Sequence, residues 1–340
     1  MSVKPVPSES TPLVSFVVMC YNTEPYVGDC IRSILGQTSG AAFEVIAVDD
    51  CSSDRTFQVL SSFPDARLRL IRHPVNQGAR ATLHDGIAAA RGKFIARIDS
   101  DDRYRPGFLA ETLPIFERHP EVGLVYGKAA LMDPAGTITA PDPPSLFRGD
   151  QRRNQLAEIL AANFICAPTT IARREAWAAA IPVPEHLSFS DWYINVMMAR
   201  VSDFYYRDTI LADYRVHAGN MHSRLVLERQ EEPTIRWVLD TVFQSPEASL
   251  LLEGAKRRAR RRIYGRQYWD LANKYFGAHM NDDARRCYLE ALRFQPQRIC
   301  SPALIRRLGA TLVGRRHYER AKEGLKSLGK RDGAAPEEIS

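Results

Sequence analysis

The feature that most constrains the fold is a regular alternation of apolar strands and amphipathic helices over residues 14–98. Four short runs rich in β-branched and aromatic residues are typical of buried strands. These strand patterns are Val14–Met19, Glu44–Asp49, Leu68–Arg72 and Phe94–Ile98, and the helical patterns between them are Tyr26–Gln37, Arg55–Phe63 and Ala79–Arg91. Strands separated by single helices pair in parallel through right-handed crossovers, so the pattern predicts an open α/β sheet.

From about residue 120 the pattern becomes mixed. Further strands are predicted at Val122–Tyr126, Phe164–Ile171, Phe204–Arg207 and Ile210–Val216. A helix is predicted after Asp191, and these elements are expected to continue the sheet and build the far wall of a cleft.

Carboxylates gather where two of the predicted strands end. Asp99, Asp101 and Asp102 follow the fourth strand, and Asp49 and Asp50 end the second. Open parallel sheets bind ligands at the carboxyl ends of their strands, so the two groups are predicted to lie together. Oxygen ligands of this kind suit Mg²⁺ or Mn²⁺ shared with a diphosphate, and an ordinary acidic turn is the alternative.

Composition describes an ordinary globular protein that is long enough for more than one domain. The chain has 340 residues, of which 45% are hydrophobic and 25% charged. No apolar run is long enough to cross a bilayer, and residues 1–12 are polar without a signal-peptide core, so a cytoplasmic protein with a flexible N-terminus is expected. The six cysteines show no metal-binding spacing and are expected to be reduced.

The net charge of +6 comes from one short run. Residues 256–262 hold six basic side chains, and the rest of the chain has 40 basic and 40 acidic residues. The aromatic residues expected of a single-stranded nucleic-acid platform are absent from this run, so no nucleic-acid partner is predicted. A solvated helix face is the favoured interpretation, and peripheral contact with an anionic membrane is the alternative.

The motifs of the first 130 residues or so resemble the opening of family 2 glycosyltransferases. They are Val14–Glu24, Ser33–Thr38, Val48–Thr56, Asn76–Gly78, Gly86-Ile87, Ala90–Gly92 and Asp99–Asp102. The resemblance implies a GT-A fold over residues 13–221, a nucleotide-sugar donor with UDP as the expected nucleotide, a Mg²⁺ or Mn²⁺ ion, and inversion at the anomeric carbon.

The same resemblance implies a set of residues at the donor nucleotide. They are Tyr21, Asn22, Asp49, Asp50, Gly78 and Asp99. Tyr21 is expected against a nucleobase face, or as a rim aromatic. Asp50, and with it Asp49, is expected to accept a hydrogen bond from a uracil-type imide or a ribose hydroxyl, with capping of the next turn as the alternative. Asp99 is expected to reach the ribose.

The resemblance also implies the metal ligands and the catalytic base. Asp101 is the expected metal ligand, and His217 is expected to contact the metal or the diphosphate together with nearby Asn220, although a lone histidine is often structural. The base of the family stands before an aromatic residue at a helix start, often after Glu. Here Asp191 precedes Trp192 and follows Ser190, so Asp191 is the predicted base, with a helix cap as the alternative.

Beyond residue 222 the sequence is predicted to be helical. Residues 222–263 are assigned to a connector that carries the basic run, 264–330 to a tetratricopeptide-like region and 331–340 to a flexible tail. The register of one such repeat is formed by Tyr268, Leu271, Ala272, Tyr275, Ala284, Tyr288, Ala291 and Pro296. A second, degenerate helix pair is predicted at 302–327, and a generic helical hairpin is the alternative.

Together these expectations describe an inverting, metal-dependent glycosyltransferase that extends a cell-envelope polysaccharide or a lipid-linked glycan. A nucleotidyltransferase is one alternative, but its Gly-rich basic loop is replaced here by Cys20–Thr23. The other is a non-catalytic protein that binds partners through its helical repeats, against which the intact acidic set argues. The sugar, the acceptor, the linkage and the oligomeric state are not predicted.

Overall fold

The computed structural model describes residues 11–217 and 222–313. Most of the predicted flexible N-terminus, the Ala218–Asn220 motif, the end of the second helix pair and the tail at 331–340 lie outside the described residues. Two compact units divide the chain at residue 220, apart from residues 160–162, which belong to the second unit.

The alternating elements predicted for the first hundred residues are all present. They are β1 (Val14–Cys20), α1 (Glu24–Leu35), β2 (Phe43–Asp49), α2 (Thr56–Ser61), β3 (Leu68–Arg72), α3 (Ala79–Ala89) and β4 (Phe94–Asp99). β1 pairs in parallel with both β2 and β4, and β2 pairs in parallel with β3. The predicted open α/β sheet is confirmed.

The segment from residue 103 to residue 215 extends this sheet. Its elements are β5 (Arg103–Tyr104), α4 (Phe108–Arg118), β6 (Val122–Met132), β7 (Ile138–Ala140), β8 (Gln151–Arg153), α5 (Leu156–Ala161), β9 (Ile171–Arg173), α6 (Arg174–Ala180), α7 (Asp191–Ala199) and β10 (Asp203–Arg215). Within the described ranges the strand order is β3-β2-β1-β4-β9-β6-β10-β5, with β7 on β6 and β8 on β10. The short β9 is antiparallel to both of its neighbours, so the sheet is mixed but mostly parallel.

Two predicted strands differ from the structure. The run Phe164–Ile171 is instead a 3₁₀ turn at Ala167–Thr169 followed by β9, because Pro168 has no N–H for a strand ladder. The two strands predicted at Phe204–Arg207 and Ile210–Val216 are one continuous strand, β10, whose register with β6 shifts between them.

The core of the sheet forms around β1 because helices cover both of its faces. Phe16 contacts Phe43, Tyr104 and Phe108 on one side, with ring centroids 5.3–6.1 Å apart. On the other side a β-carbon at Gly86 of α3 would lie 2.3 Å from a methyl group of Val17, so only glycine allows this approach. These contacts fix the ends of the strands, where the acidic residues lie.

The second unit is helical in its described part. Its elements are α8 (His222–Leu227), α9 (Glu231–Gln244), α10 (Leu250–Gly277), α11 (Asn281–Phe294), a 3₁₀ turn (Pro296–Cys300) and α12 (Pro302–Val313). Six of the predicted register residues are buried, namely Leu271, Ala272, Tyr275, Ala284, Tyr288 and Ala291. The tetratricopeptide-like assignment stays a prediction. No helix of the described residues is both long and apolar enough to span a membrane.

Candidate active site

The two acidic groups lie at one edge of the sheet. In the strand register Cys20 of β1 pairs with Asp49 of β2, and the adjacent Met19 pairs with Asp99 of β4. Because β2 and β4 flank β1, the backbones of Asp49 and Asp99 lie about 10 Å apart. β1 pairs with both strands and therefore brings the two acidic groups to the same edge of the sheet, at the carboxyl ends of the strands.

Asp50 holds the loop that precedes α3. Its carboxylate accepts the backbone N–H groups of Gln77 and Gly78, each at 2.7 Å, and a ring nitrogen of His73 at 2.8 Å. Gly78 has a φ of +86°, a left-handed conformation that favours glycine. The carboxylate of Asp50, which the sequence analysis assigned to donor binding, therefore has three hydrogen-bond partners within the protein.

His73 joins two carboxylates and was not predicted as a site residue. The ring is 5% exposed, with Nδ1 2.8 Å from Asp50 and Nε2 2.9 Å from Asp85. Burial lowers the pKa of His73, but the hydrogen bonds with Asp50 and Asp85 outweigh it, and the net pKa lies above the ordinary 6.5. Carboxylates at both ring nitrogens favour the protonated ring, in which both nitrogens donate.

Asp49 has one buried oxygen without a hydrogen-bond partner among the described residues. The side chain is fully buried, and its Oδ2 lies 3.3 Å from Nε of Arg72 and 3.4 Å from the backbone nitrogen of Ser52. Its Oδ1 has no hydrogen-bond partner within the described ranges. An unsatisfied buried acceptor costs about 1–3 kcal/mol, and a donor group that reached this oxygen would recover that cost.

Tyr21 and Asn22 form the rim of the same edge. The ring of Tyr21 is 51% exposed. Asn22 adopts the left-handed conformation with a φ of +50°, which asparagine tolerates better than most residues. Its amide oxygen accepts the N–H of Ser53 at 2.8 Å, and its own N–H donates to Ser52 at 3.0 Å. Asn22 thus ties the loop after β1 to the loop after β2.

The turn after β4 concentrates negative charge. Asp102 is buried; its Oδ1 accepts the N–H of Arg215 at 2.7 Å, whereas its Oδ2 has no hydrogen-bond partner among the residues described. Burial, together with the charges of Asp101 and Asp99, raises the pKa of Asp102 well above its ordinary value. Burial likewise raises the pKa of Asp99 to about 6.

Asp101 faces His217, and the sequence analysis assigns both residues to a metal or diphosphate site. Nε2 of His217 lies 2.9 Å from Oδ2 of Asp101. The imidazole of His217 stacks on the ring of Tyr26, with 5.4 Å between the ring centroids. The guanidinium of Arg215 lies 4.6 Å from the centroid of the Tyr26 ring. Arg215 also donates to the backbone oxygen of Asp101 at 2.7 Å, so this pair is held from several sides.

The donor set of this pair fits a divalent ion. Carboxylate oxygen and imidazole nitrogen both ligate such ions, and 2.9 Å is close to the separation of neighbouring ligands with bonds of about 2.1 Å. Over the described residues, no group of three or more His, Cys, Asp or Glu side chains is arranged to hold a metal.

Asp191 is the first residue of α7 and is paired with a buried arginine. Its Oδ1 lies 2.6 Å from Nη2 of Arg97, whose side chain is 6% exposed while that of Asp191 is 43% exposed. The residue in the cap position is Ser190, which makes no side-chain cap hydrogen bond. Asp191 and Arg97 line a small pocket together with Thr170 and Asn195.

Asp191 and the acidic turn belong to one electrostatic neighbourhood. The charges of Asp191 and Asp101 both raise the pKa of Asp99, while the charge of Arg97 lowers it. The pKa of Cys166 is raised chiefly by burial and further by the charges of Asp102, Asp191 and Asp99. The predicted base and the predicted metal ligand therefore act on the same central carboxyl group, Asp99.

Comparison with known proteins relates most of the first unit to one family. Residues 15–178 match the family model described as glycosyl transferase family 2. Among curated relatives, an uncharacterized protein of Mycobacterium tuberculosis is 28% identical over 215 residues, covering 62% of this chain and 61% of its own. The succinoglycan biosynthesis protein ExoO of Rhizobium meliloti is 44% identical over 98 residues, covering 29% of this chain and 28% of its own. This chain thus spans about three fifths of the length of the mycobacterial relative.

A solved structure shares the fold over most of the chain. S. aureus TarS 1–349 in complex with UDP-GlcNAc superposes with a TM-score of 0.65 at 18% identity, covering 92% of this chain and 91% of that one. At this identity the likeness shows the fold alone, and it agrees with the predicted GT-A architecture followed by a helical region.

Proposed function

Residues 15–178 of this chain are a glycosyl transferase family 2 domain, and from this premise we propose the reaction that the chain performs. It transfers a sugar, with inversion, from a nucleoside diphosphate sugar to an acceptor hydroxyl. The observation that carries the proposal is that the end of β4 holds the acidic turn with Asp99 and Asp101, while Arg97 of the same strand contacts Asp191 at 2.6 Å. The donor diphosphate would lie at Asp101 and the acceptor at Asp191.

The donor nucleotide is proposed to bind at the ends of β1 and β2. The unsatisfied Oδ1 of Asp49 is the acceptor for a uracil-type imide or a ribose hydroxyl. Tyr21 offers an exposed ring to the base, while Asn22 and Asp50 hold the surrounding loops, the latter through Gly78. Asp99 is the proposed ribose contact. UDP is the proposed nucleotide, and the UDP-GlcNAc bound to TarS supports that choice.

Asp101 and His217 are the proposed holders of a Mg²⁺ or Mn²⁺ ion. When bound, such an ion neutralises the charge that develops on a leaving diphosphate. The stacking of His217 on Tyr26 keeps the imidazole facing Asp101 at 2.9 Å, so little reorganisation is needed to ligate an ion.

Asp191 is the proposed catalytic base. It removes the proton of the acceptor hydroxyl as that oxygen attacks the anomeric carbon and the bond to the diphosphate breaks. A single displacement of this kind inverts the configuration.

The acceptor is proposed to be a growing glycan or a lipid-linked glycan. ExoO, which is similar to this chain over 98 residues, is named for succinoglycan biosynthesis, and this supports a role in polysaccharide synthesis.

The enzyme is proposed to lie at an anionic membrane, which it contacts peripherally. The basic run lies on a helix whose arginines are exposed, as the favoured interpretation predicts, but Lys256 is buried and Arg260 lies over the rings of Phe243 and Tyr264. The remaining basic side chains of the run lie on the exposed part of α10, which begins with Leu250 and Leu251, 89% and 81% exposed. Exposed leucines and arginines on one helix suit an anionic lipid surface.

Vesicle flotation tests this location. Arg258→Glu/Arg261→Glu is expected to abolish flotation with anionic vesicles, whereas the matched reversal Arg285→Glu/Arg293→Glu on α11 should not. Equal flotation of both double variants, or binding to neutral vesicles alone, would contradict the proposed contact.

The reaction is tested by a panel of nucleotide sugars, assayed for transfer and hydrolysis with and without Mn²⁺. We expect release of a nucleoside diphosphate, and a roughly 1,000-fold lower kcat in Asp191→Asn with an unchanged KM for the donor. Asp65→Asn, which removes a surface carboxylate paired with Arg67, is the control and should keep full activity. Full turnover by Asp191→Asn would exclude it as the base, and pyrophosphate release from a nucleoside triphosphate would instead indicate a nucleotidyltransferase.

A further inference from the structure

Arg97 is a buried cation in the middle of the sheet that the sequence analysis did not select. It lies on β4 two residues before Asp99, so both side chains point to the same face of the strand. A guanidinium that is 6% exposed requires a counter-charge, since an unpaired buried charge is strongly destabilising. The carboxylate it contacts, at 2.6 Å, is that of Asp191.

The backbone of Asp191 is already fixed by its neighbour. Trp192 is 2% exposed, and its indole N–H donates to the backbone oxygen of Ile159 at 2.6 Å. The start of α7 is therefore anchored independently of Asp191. What remains adjustable is the carboxylate itself, which is 43% exposed and would rotate if nothing held it.

We propose that Arg97 is a positioning residue that orients the carboxylate of Asp191 toward the acceptor hydroxyl. The inference rests on the proposed function above, in which Asp191 is the base. By engaging Oδ1, Arg97 fixes the direction in which the second oxygen points. Proton transfer needs donor and acceptor within hydrogen-bond reach and correctly aligned, so the rate depends on this orientation.

The chemistry of the site favours arginine in this role. A guanidinium stays charged when buried and has a rigid planar fork, whereas a lysine is a flexible point charge that loses its proton more easily. Burial lowers the pKa of Arg97, but the charges of Asp191 and Asp99 more than compensate, and the net pKa is raised. The backbone oxygen of Arg97 also accepts the hydroxyl of Tyr104 at 3.1 Å, which fixes the strand at this residue.

A double-mutant cycle separates positioning from a merely structural role. Arg97→Met is expected to lower kcat roughly 30-fold with the donor KM unchanged, and Arg97→Lys should restore part of that loss. In the Asp191→Asn background Arg97→Met should lower kcat no further, because the group that it orients is gone. Arg173→Met is the control. Arg173 lies in the neighbouring strand β9 and, among the described residues, donates to the backbone oxygens of Val122 and Phe116, so its loss should affect stability without changing kcat.

Three outcomes would overturn the inference. They are an unchanged kcat in folded Arg97→Met, an equal loss in the wild-type and Asp191→Asn backgrounds, and a changed donor KM with an unchanged kcat. If Arg97→Met does not fold, Arg97→Lys carries the same cycle, because it keeps the charge. Full activity of Asp191→Asn would instead refute the proposed function, so the two failures are distinguishable.

Discussion

Buried charge is handled differently at the turn after β4 and in the helical unit. Nζ of Lys256 in α10 lies 2.7–2.9 Å from two backbone oxygens and from the carboxylates of Glu247 and Glu253. At the turn, by contrast, Asp102 is buried beside Asp101 with one oxygen lacking a hydrogen-bond partner in the described ranges. A fully satisfied charge fixes the fold, whereas crowded, partly satisfied carboxylates cost stability and are retained where a ligand completes them.

The largest effect that this comparison predicts lies in the helical unit. Lys256→Met is expected to lower the free energy of unfolding by about 3–5 kcal/mol, because Glu247 stays buried without its cation. Activity per folded molecule should be unchanged at low temperature. Urea denaturation of the full chain measures the loss.

Arg257→Met is the matched control for that substitution, since Arg257 is exposed and also pairs with Glu253. It should cost less than about 1 kcal/mol, as exposed ion pairs do. Equal effects of the two substitutions would remove the contrast between the two regions.

At the acidic turn the expected effect is on turnover and not on stability. Asp101→Asn should lower kcat roughly 100-fold, equivalent to about 2.7 kcal/mol, because it removes the proposed metal ligand. Its free energy of unfolding should equal or exceed that of the wild type, since one of three adjacent carboxylates no longer repels the others.

Chelation provides the cross-check. A chelator should inactivate the wild type and have little further effect on Asp101→Asn. If Asp101→Asn lost stability in proportion to its activity, Asp101 would be a charge that fixes the fold, like Lys256, and not a metal ligand.

The sequence predicts this molecule best where patterns are local. The alternating strands and helices of residues 14–98, and the carboxylates that follow their strands, are all visible in the order of residues. Arg97 and His73 were missed because their roles arise from partners in distant segments, Asp191 for one and Asp50 for the other. No pattern among neighbouring residues of the sequence predicts such pairs. Lys256 was misjudged because a basic run does not reveal which of its members faces the helical core.

The smallest predicted effect is that of a substitution at His73. This side chain joins Asp50 to Asp85, so it is a satisfied charge within the proposed active site. Because the pKa of His73 is raised on folding, its contribution is fully present below the unfolded value of about 6.5 and is lost as the pH rises through the folded-state pKa. His73→Gln should cost about 1–2 kcal/mol near pH 6 and progressively less at higher pH. Urea midpoints measured over a pH series give this difference, and His119→Gln, at a ring that stacks on Tyr205, is the control. A pH-independent cost would mean that His73 acts by packing, and the loop before α3 would then be held by Asp50 alone.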